Sequence, residues 1–370
     1  MKHVVVVGGS IAAMTAAGSL RSEGFDGDVT VLSDESHRPY SRVPLSKGIL
    51  AGTEAPSSAF LPESGGSFEI RTDCTAVALD TQRRRITLAE GEEVHYDGLV
   101  ISSGARARRL PGAETGLTVR TLDDAVALRD RLLAARRVIV LGGGFLGMEV
   151  ASTCRTLGLQ VTVVHISSPL NGLLGRWLAE YVVTEARRQG VEFIHAPQGA
   201  RIIDTQTVDC GDRRIEADLV VSAVGDEPNI EWLLRSGVPL NNGVLADQRC
   251  RVAPDIVAAG DVVARGGRRM PHWTNAVQQG KTAAAALLHG EQAEPYVQDH
   301  YFWTHQFGLD IKISGRLPLR GVPAVIGGAI EDQTALLRWE DDRATTAVAI
   351  NHRLPIVKLK RLGAGAPALC

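Results

Sequence analysis

The stretch that most constrains this chain is Val138-Ile139-Val140-Leu141-Gly142-Gly143-Gly144-Phe145-Leu146-Gly147-Met148-Glu149. Four apolar residues in a row predict a buried parallel strand. Gly142, Gly144 and Gly147 then stand at a Gly-x-Gly-x-x-Gly spacing, and a helix begins near Phe145. In that setting the first glycine permits a tight turn. The second lets the backbone approach a pyrophosphate, and the third lets helix pack on strand. The helix N-terminus offers free N–H groups and a positive dipole end to the phosphates. A second apolar run, Gln160 to Val164, completes a βαβ unit of roughly thirty residues. Phe145 and Leu146, at the start of the helix, join the three glycines as nucleotide-binding candidates.

The same arrangement opens the chain. Val4 to Val7 predict a first buried strand, and Gly8-Gly9-Ser10-Ile11-Ala12-Ala13 a second nucleotide turn. Ala13 is an accepted substitute for the third glycine, whereas Ser10 departs from the pattern. Its side chain must either point away from the phosphates or hydrogen-bond them. A helix over 14–23 and a strand over 29–32 follow, then Asp34 and Glu35. An acid at the end of the second strand, here Asp34, holds a ribose hydroxyl. Two such cradles imply two similar domains and two dinucleotides, one held permanently and one visiting.

Length and composition agree. At 370 residues the chain suits two or three domains. It is 44% hydrophobic and 22% charged, which is globular. A formal net charge of −2 implies no bulk attraction to nucleic acid, and no apolar run reaches membrane-spanning length. Met1-Lys2-His3 leads straight into a strand, leaving no room for a signal peptide. The five cysteines, Cys74, Cys154, Cys210, Cys250 and Cys370, are scattered and form no Cys-x-x-Cys pair. That pattern predicts a reduced cytoplasmic protein without a metal site or a redox disulfide.

Pro39-Tyr40-Ser41-Arg42-Val43-Pro44-Leu45-Ser46-Lys47 makes the reading more specific. It resembles the Pro-Tyr-Asp-Arg-Pro-Pro-Leu-Ser-Lys signature of FAD-dependent ferredoxin reductases of the putidaredoxin-reductase and biphenyl-dioxygenase-reductase type, with Ser41 and Val43 as departures. These belong to the pyridine nucleotide-disulfide oxidoreductase superfamily but lack its redox cysteines. This chain likewise has no cysteine before Cys74. Further segments carry the likeness. Tyr96 to Gly104 resembles the crossing from FAD domain to NAD domain. Asp218 to Gly225 resembles the strand closing the nicotinamide domain. Pro254 to Asp261 resembles the Gly-Asp motif whose acid meets the ribityl chain, and His272 to Gly280 the helix whose N-terminus faces the flavin. Tyr301-Phe302-Trp303-Thr304 resembles the opening of the C-terminal domain.

The resemblance implies an α/β fold of glutathione-reductase-like architecture: two Rossmann-like dinucleotide-binding domains plus a short C-terminal α+β domain. The FAD domain is expected at 1–112 and 237–296, the NAD(P)H domain at 113–236, and a shortened C-terminal domain at 297–370. It implies FAD held by Gly8, Ser10, Ala12, Ala13, Asp34, Arg42, Lys47, Val77, Arg120, Asp261 and Trp273. It implies NADH or NADPH held by Gly142, Gly144, Phe145, Leu146, Gly147, His165 and Gly225. Relatives carry an acid where this chain has His165, so the choice between NADH and NADPH stays open. Lys47, paired with Glu149, and Trp303 are the catalytic candidates. The implied activity passes hydride from NAD(P)H to FAD and then single electrons to an iron–sulfur ferredoxin serving a P450 or Rieske-type oxygenase.

Two other readings stay open at this stage. One is a flavoenzyme that reduces a quinone, oxygen or a biosynthetic intermediate directly. The other is a non-catalytic redox-sensing protein of the apoptosis-inducing-factor-like type. Basic runs at Arg265 to Arg269 and Lys358 to Arg361 offer docking for an acidic ferredoxin, or simply solvated surface. Nothing in the sequence specifies an oligomeric state.

Overall fold

The computed structural model describes residues 1–62, 67–110, 116–342 and 344–365. The boundary expected at 112/113 and Cys370 lie outside them. The chain divides into two compact units. Unit 1 comprises Met1–Arg42, Ala59–Arg106 and Asp226–Asp299, and unit 2 comprises Val43–Ser58, Ala107–Gly225 and His300–Cys370.

Unit 1 is built on strand His3–Val7, whose Val4, Val5 and Val6 have no exposed surface. A strand buried on both faces must be covered twice, and alternate side chains go to different cores. Val4 and Val6 join Ala12, Ala13, Ala16 and Leu20 of helix Ile11–Ser22. Val5 and Val7 meet Leu79, Ile86, Leu88 and Val94 of a three-stranded antiparallel sheet, Ala76–Asp80, Arg85–Leu88 and Glu93–His95. Each buried Val, Leu or Ile among them contributes about 1.5–3 kcal/mol relative to exposure.

The main sheet of unit 1 runs in the order Arg251–Ala253, Ile256–Ala258, Gly98–Ile101, His3–Val7, Asp28–Leu32, Glu69–Arg71. Every pairing is parallel except that of the first two strands, which is antiparallel. Helix Trp273–His289 packs across helix Ile11–Ser22 at Gly280, where a Cβ would lie 2.8 Å from the Ala12 carbonyl oxygen.

Unit 2 repeats the plan. Its parallel sheet runs Val191–His195, Gln160–His165, Arg137–Leu141, Leu219–Ser222. Helices Phe145–Thr156 and Arg176–Arg188 make the connections between its first three strands in sequence. One face packs on a small antiparallel sheet of Arg201–Ile202, Thr207–Asp209 and Arg214–Glu216. A five-stranded antiparallel sheet follows in the order Tyr301–Gln306, Leu309–Ser314, Thr345–Ile350, Thr334–Glu340, Ala324–Ala329. Helix Ile356–Gly363 covers it through Leu359 and Leu362. The expected fold class is therefore present: two Rossmann-like sheets and a C-terminal α+β part. Among the described residues, no helix is long and apolar enough to cross a membrane.

Candidate functional site

Each parallel sheet ends its central strand in a glycine turn at a helix N-terminus. In unit 1, Gly8 has φ +128°, and a Cβ there would lie 2.1 Å from the Ser102 carbonyl oxygen. In unit 2, Gly142 has φ +110°, with Ala223 O 2.3 Å from the same position. Only glycine fits either place. A Cβ on Gly144 would meet nothing within 4 Å, so the second turn opens onto free space. On Gly147 it would strike Gly142 O at 2.0 Å, the close approach expected of the third glycine. Met14 N–H already donates to Ser10 O and Met148 N–H to Gly144 O. The three N–H groups before each of these are the orphan donors of a first turn. They belong to Ile11, Ala12 and Ala13 in one unit and to Phe145, Leu146 and Gly147 in the other. Both turns thus fit a pyrophosphate.

The Ser10 question resolves toward the first alternative. Its hydroxyl donates to Tyr40 O at 3.2 Å, away from the helix N–H groups. Asp34 stands exposed just past strand Asp28–Leu32, open to a ribose hydroxyl. Its neighbour Glu35 is engaged: Arg42 Nη2 donates to Glu35 at 2.6 Å, Arg42 Nη1 to Tyr40 Oη at 3.0 Å, and the Tyr40 hydroxyl to Glu35. Gly260 N–H donates to the buried Gln279 Oε1 at 2.8 Å, and Asp261 O accepts from Arg269 at 3.3 Å. Arg269, whose side chain is only 8% exposed, also pairs with Asp226 at 2.5 Å. The basic run at 265–269 therefore does not present Arg269 for docking. Trp273 opens helix Trp273–His289, and its ring is accessible. Val77 is exposed on strand Ala76–Asp80. These residues lie in unit 1. Arg120, expected with them, lies in unit 2 just before helix Leu122–Leu132, which Thr121 caps.

Unit 2 gathers the catalytic candidates. Glu149 sits in helix Phe145–Thr156 with its side chain 11% exposed, and Lys47 Nζ lies 2.6 Å from its Oε2. The Ser46 hydroxyl donates to the same oxygen at 2.7 Å, and Thr304 Oγ1 donates to Oε1 at 2.8 Å. Gln306 Nε2 supports Thr304 at 3.1 Å, and Thr153 Oγ1 holds Ser46 O at 2.7 Å. Sequence reasoning found the pair but missed Ser46, Thr304 and Gln306. Their one signal was adjacency to Lys47 and Trp303. Trp303 stacks on Tyr301, with centroids 5.7 Å apart, and the Phe145 and Phe302 rings meet at a tilt of 37°, 4.4 Å apart. Gly225 has φ +104° and its N–H-bearing turn follows strand Leu219–Ser222. His165 ends strand Gln160–His165.

Two of the buried thiols are held protonated. Burial pushes Cys154 and Cys250 each up to about 12, so neither forms a thiolate near neutrality. Cys74, Cys154, Cys210 and Cys250 are unpaired. Among the described residues, no group of three or more His, Cys, Asp or Glu side chains could hold a metal ion.

Comparison with known proteins agrees with this geometry. Residues 2–280 match the profile of the pyridine nucleotide-disulphide oxidoreductases. The chain is 34% identical to the biphenyl dioxygenase system ferredoxin–NAD(+) reductase component of Paraburkholderia xenovorans, over 94% of this chain and 90% of that one. Putidaredoxin reductase, solved in covalent complex with putidaredoxin, superposes with a TM-score of 0.87 at 25% identity, over 99% of this chain and 94% of that one. The ferredoxin reductase for the CYP199A2 system of Rhodopseudomonas palustris gives 0.85 at 28% identity, over 95% and 92%. With two glycine cradles on parallel sheets and a match over most of its length, the chain belongs to the pyridine nucleotide-disulphide oxidoreductase family.

Proposed function

We propose that this chain is an FAD-dependent NAD(P)H:ferredoxin oxidoreductase, feeding electrons to an iron–sulfur ferredoxin that serves a P450 or Rieske-type oxygenase. One observation carries the reading. Two glycine cradles at helix N-termini occur with a Lys47–Glu149 ion pair, while burial holds Cys154 and Cys250 as thiols. FAD, when bound, supplies the chemistry of accepting two electrons together and releasing them singly.

The protein's part is to bind, orient and hold charge. Gly8 and the first turn after Ser10 would hold the FAD pyrophosphate, Asp34 its ribose, and Asp261 the ribityl chain. Arg42, Val77, Arg120 and Trp273 complete that set. Gly142 to Gly147 would hold the NAD(P)H pyrophosphate, with Gly225 and His165 beside it. Glu149, fixed by Ser46 and Thr304, holds the Lys47 ammonium at one place. A fixed cation stabilises negative charge as it develops, at no cost in reorganisation. Trp303 is assigned to the electron exit toward the partner. In this reading residues 1–112 and 237–296 form the FAD domain, 113–236 the NAD(P)H domain and 297–370 the C-terminal domain. The unpaired cysteines support work in the reducing cytoplasm.

Cytochrome c reduction by NADH or NADPH, with and without an added ferredoxin, tests the proposal. Strict dependence on ferredoxin is the expected result. Rapid turnover of a quinone or oxygen with no effect of ferredoxin would replace it with direct reduction of a small acceptor. A colourless protein that takes up neither FAD nor FMN would end it.

A further inference from the structure

The end of strand Gln160–His165 carries an arrangement that the activity alone does not require. In a dinucleotide fold this place faces the adenosine ribose. An acid there accepts from the 2′-hydroxyl and repels a 2′-phosphate, while a cation accommodates the phosphate. His165 occupies it, in register with His195 on the neighbouring strand. The two imidazoles stack, with centroids 5.4 Å apart and planes 24° from parallel. Phe193, on the same face of its strand, sets its ring 6.2 Å from His165. The Arg187 guanidinium lies over that ring, 5.3 Å from its centroid. The acid on this strand, Glu192, alternates to the opposite face, where Thr162 Oγ1 approaches it at 3.5 Å.

The loop that follows returns to the phosphate cradle. Leu170 N–H donates to Gly143 O at 2.9 Å, and a Cβ on Gly143 would lie 2.8 Å from Pro169 Cβ. Ser167 and Ser168, both exposed, thus sit between the histidine and the glycine turn. Burial pushes the His165 imidazolium below its ordinary range, a backbone hydrogen bond at Ser167 opposes this, and His195 and Arg187 add a like-charge repulsion that a bound anion would relieve.

We propose that this chain takes NADPH in preference to NADH, with the adenosine 2′-phosphate held by His165, His195 and Arg187 and by the Ser167–Ser168 loop. The proposal rests on the nucleotide reading of the Gly142–Gly147 turn given above. A dianion would meet a permanent guanidinium, the His165 imidazole, the His195 ring, whose Nε2 is held 3.2 Å from Ile166 O, and hydroxyls, a donor set of the kind phosphate recognition uses.

The test uses the holoenzyme. Calorimetric titration with 2′,5′-ADP and with 5′-ADP should show the former binding at least about tenfold tighter. Stopped-flow flavin reduction should give the larger kcat/KM with NADPH. His165→Glu should lower the NADPH/NADH ratio by at least about tenfold, and Arg187→Ala by about fivefold. Equal affinity for the two ADPs overturns the proposal. So does a ratio unmoved in both variants, and so does faster reduction by NADH. These leave the oxidoreductase reading standing. Failure of both ADPs to bind, with neither NADH nor NADPH bleaching the flavin, would instead remove that reading and this proposal with it.

Discussion

A carboxylate on the helix behind a glycine turn, with only 11% of its side chain exposed, needs its charge answered, and Glu149 has three donors to do so. Lys47 supplies the cation, while Ser46 and Thr304 take one oxygen each. Because Ser46 and Thr304 fix the carboxylate independently, removing Lys47 should cost rate more than architecture. Lys47→Ala is expected to slow flavin reduction by at least about tenfold, equivalent to about 1.4 kcal/mol of barrier. Stopped-flow traces at the wild-type rate would remove its catalytic role. The pair was legible because Lys47 closes a recognisable loop and Glu149 follows the third glycine. The two hydroxyls were not. A serine or threonine reveals its partner only when segments far apart in the chain meet, and Thr304 meets Glu149 across 155 positions.

At the scale of elements, two helix caps make separate predictions. Thr121 Oγ1 accepts from Asp124 N–H at 3.0 Å and Asp124 Oδ2 from Thr121 N–H at 3.1 Å, a reciprocal capping box on helix Leu122–Leu132. Thr121→Ala should cost about 1 kcal/mol in denaturant unfolding. Helix Trp273–His289 is capped by His272, whose Nδ1 accepts from Thr274 N–H at 3.3 Å. Burial pushes His272 down from an ordinary 6.5 to about 4, against the pull of Asp261 and Asp299. The unfolded histidine therefore gains a proton near pH 6.5 that the folded one refuses until about pH 4. This group's contribution is full above that window, falls as pH drops through it, and levels off below. Its span is about 3 kcal/mol. Urea midpoints from pH 7.5 downward should show the fall, and His272→Asn, a cap that does not titrate, should flatten it. Identical slopes in the two proteins would sink this assignment.

The strands of both parallel sheets could be read from the sequence because runs such as Val4–Val7 and Val138–Leu141 are apolar without alternation. Helix boundaries were less legible. The first helix begins at Ile11 rather than the expected 14, because its first turn carries the glycine-turn residues themselves. In the C-terminal sheet, Leu309–Ser314 alternates buried and half-buried residues along most of its length. Ala324–Ala329 does not, since Gly327 and Gly328 interrupt it and its register shifts.

For the whole molecule, the informative fact is which segments travel together. Residues Val43–Ser58 group with unit 2, although they precede most of unit 1 in the chain, because Ser46 and Lys47 are bound to Glu149. FAD, in the reading proposed here, binds the native form and not the unfolded chain. Stripping the flavin should therefore lower the melting temperature, and added FAD at a hundredfold excess over its Kd should restore about 2.7 kcal/mol. Calorimetric scans of holo, apo and reconstituted protein measure this. An apoprotein melting with the holoprotein would show that the cofactor does not brace the native state.

Unit 1 draws two strands of its main sheet and its long helix from Asp226–Asp299, after the chain has passed through most of unit 2. A nascent chain leaving the ribosome therefore presents the Gly8 turn early but lacks strands Arg251–Ala253 and Ile256–Ala258 and the helix that lies across Ala12. Translation must run almost to residue 300 before that half of the molecule has all its parts. Uptake of a flavin is thereby deferred until that segment has been made, and a fragment truncated before it has the Gly8 turn without the helix that packs across Ala12.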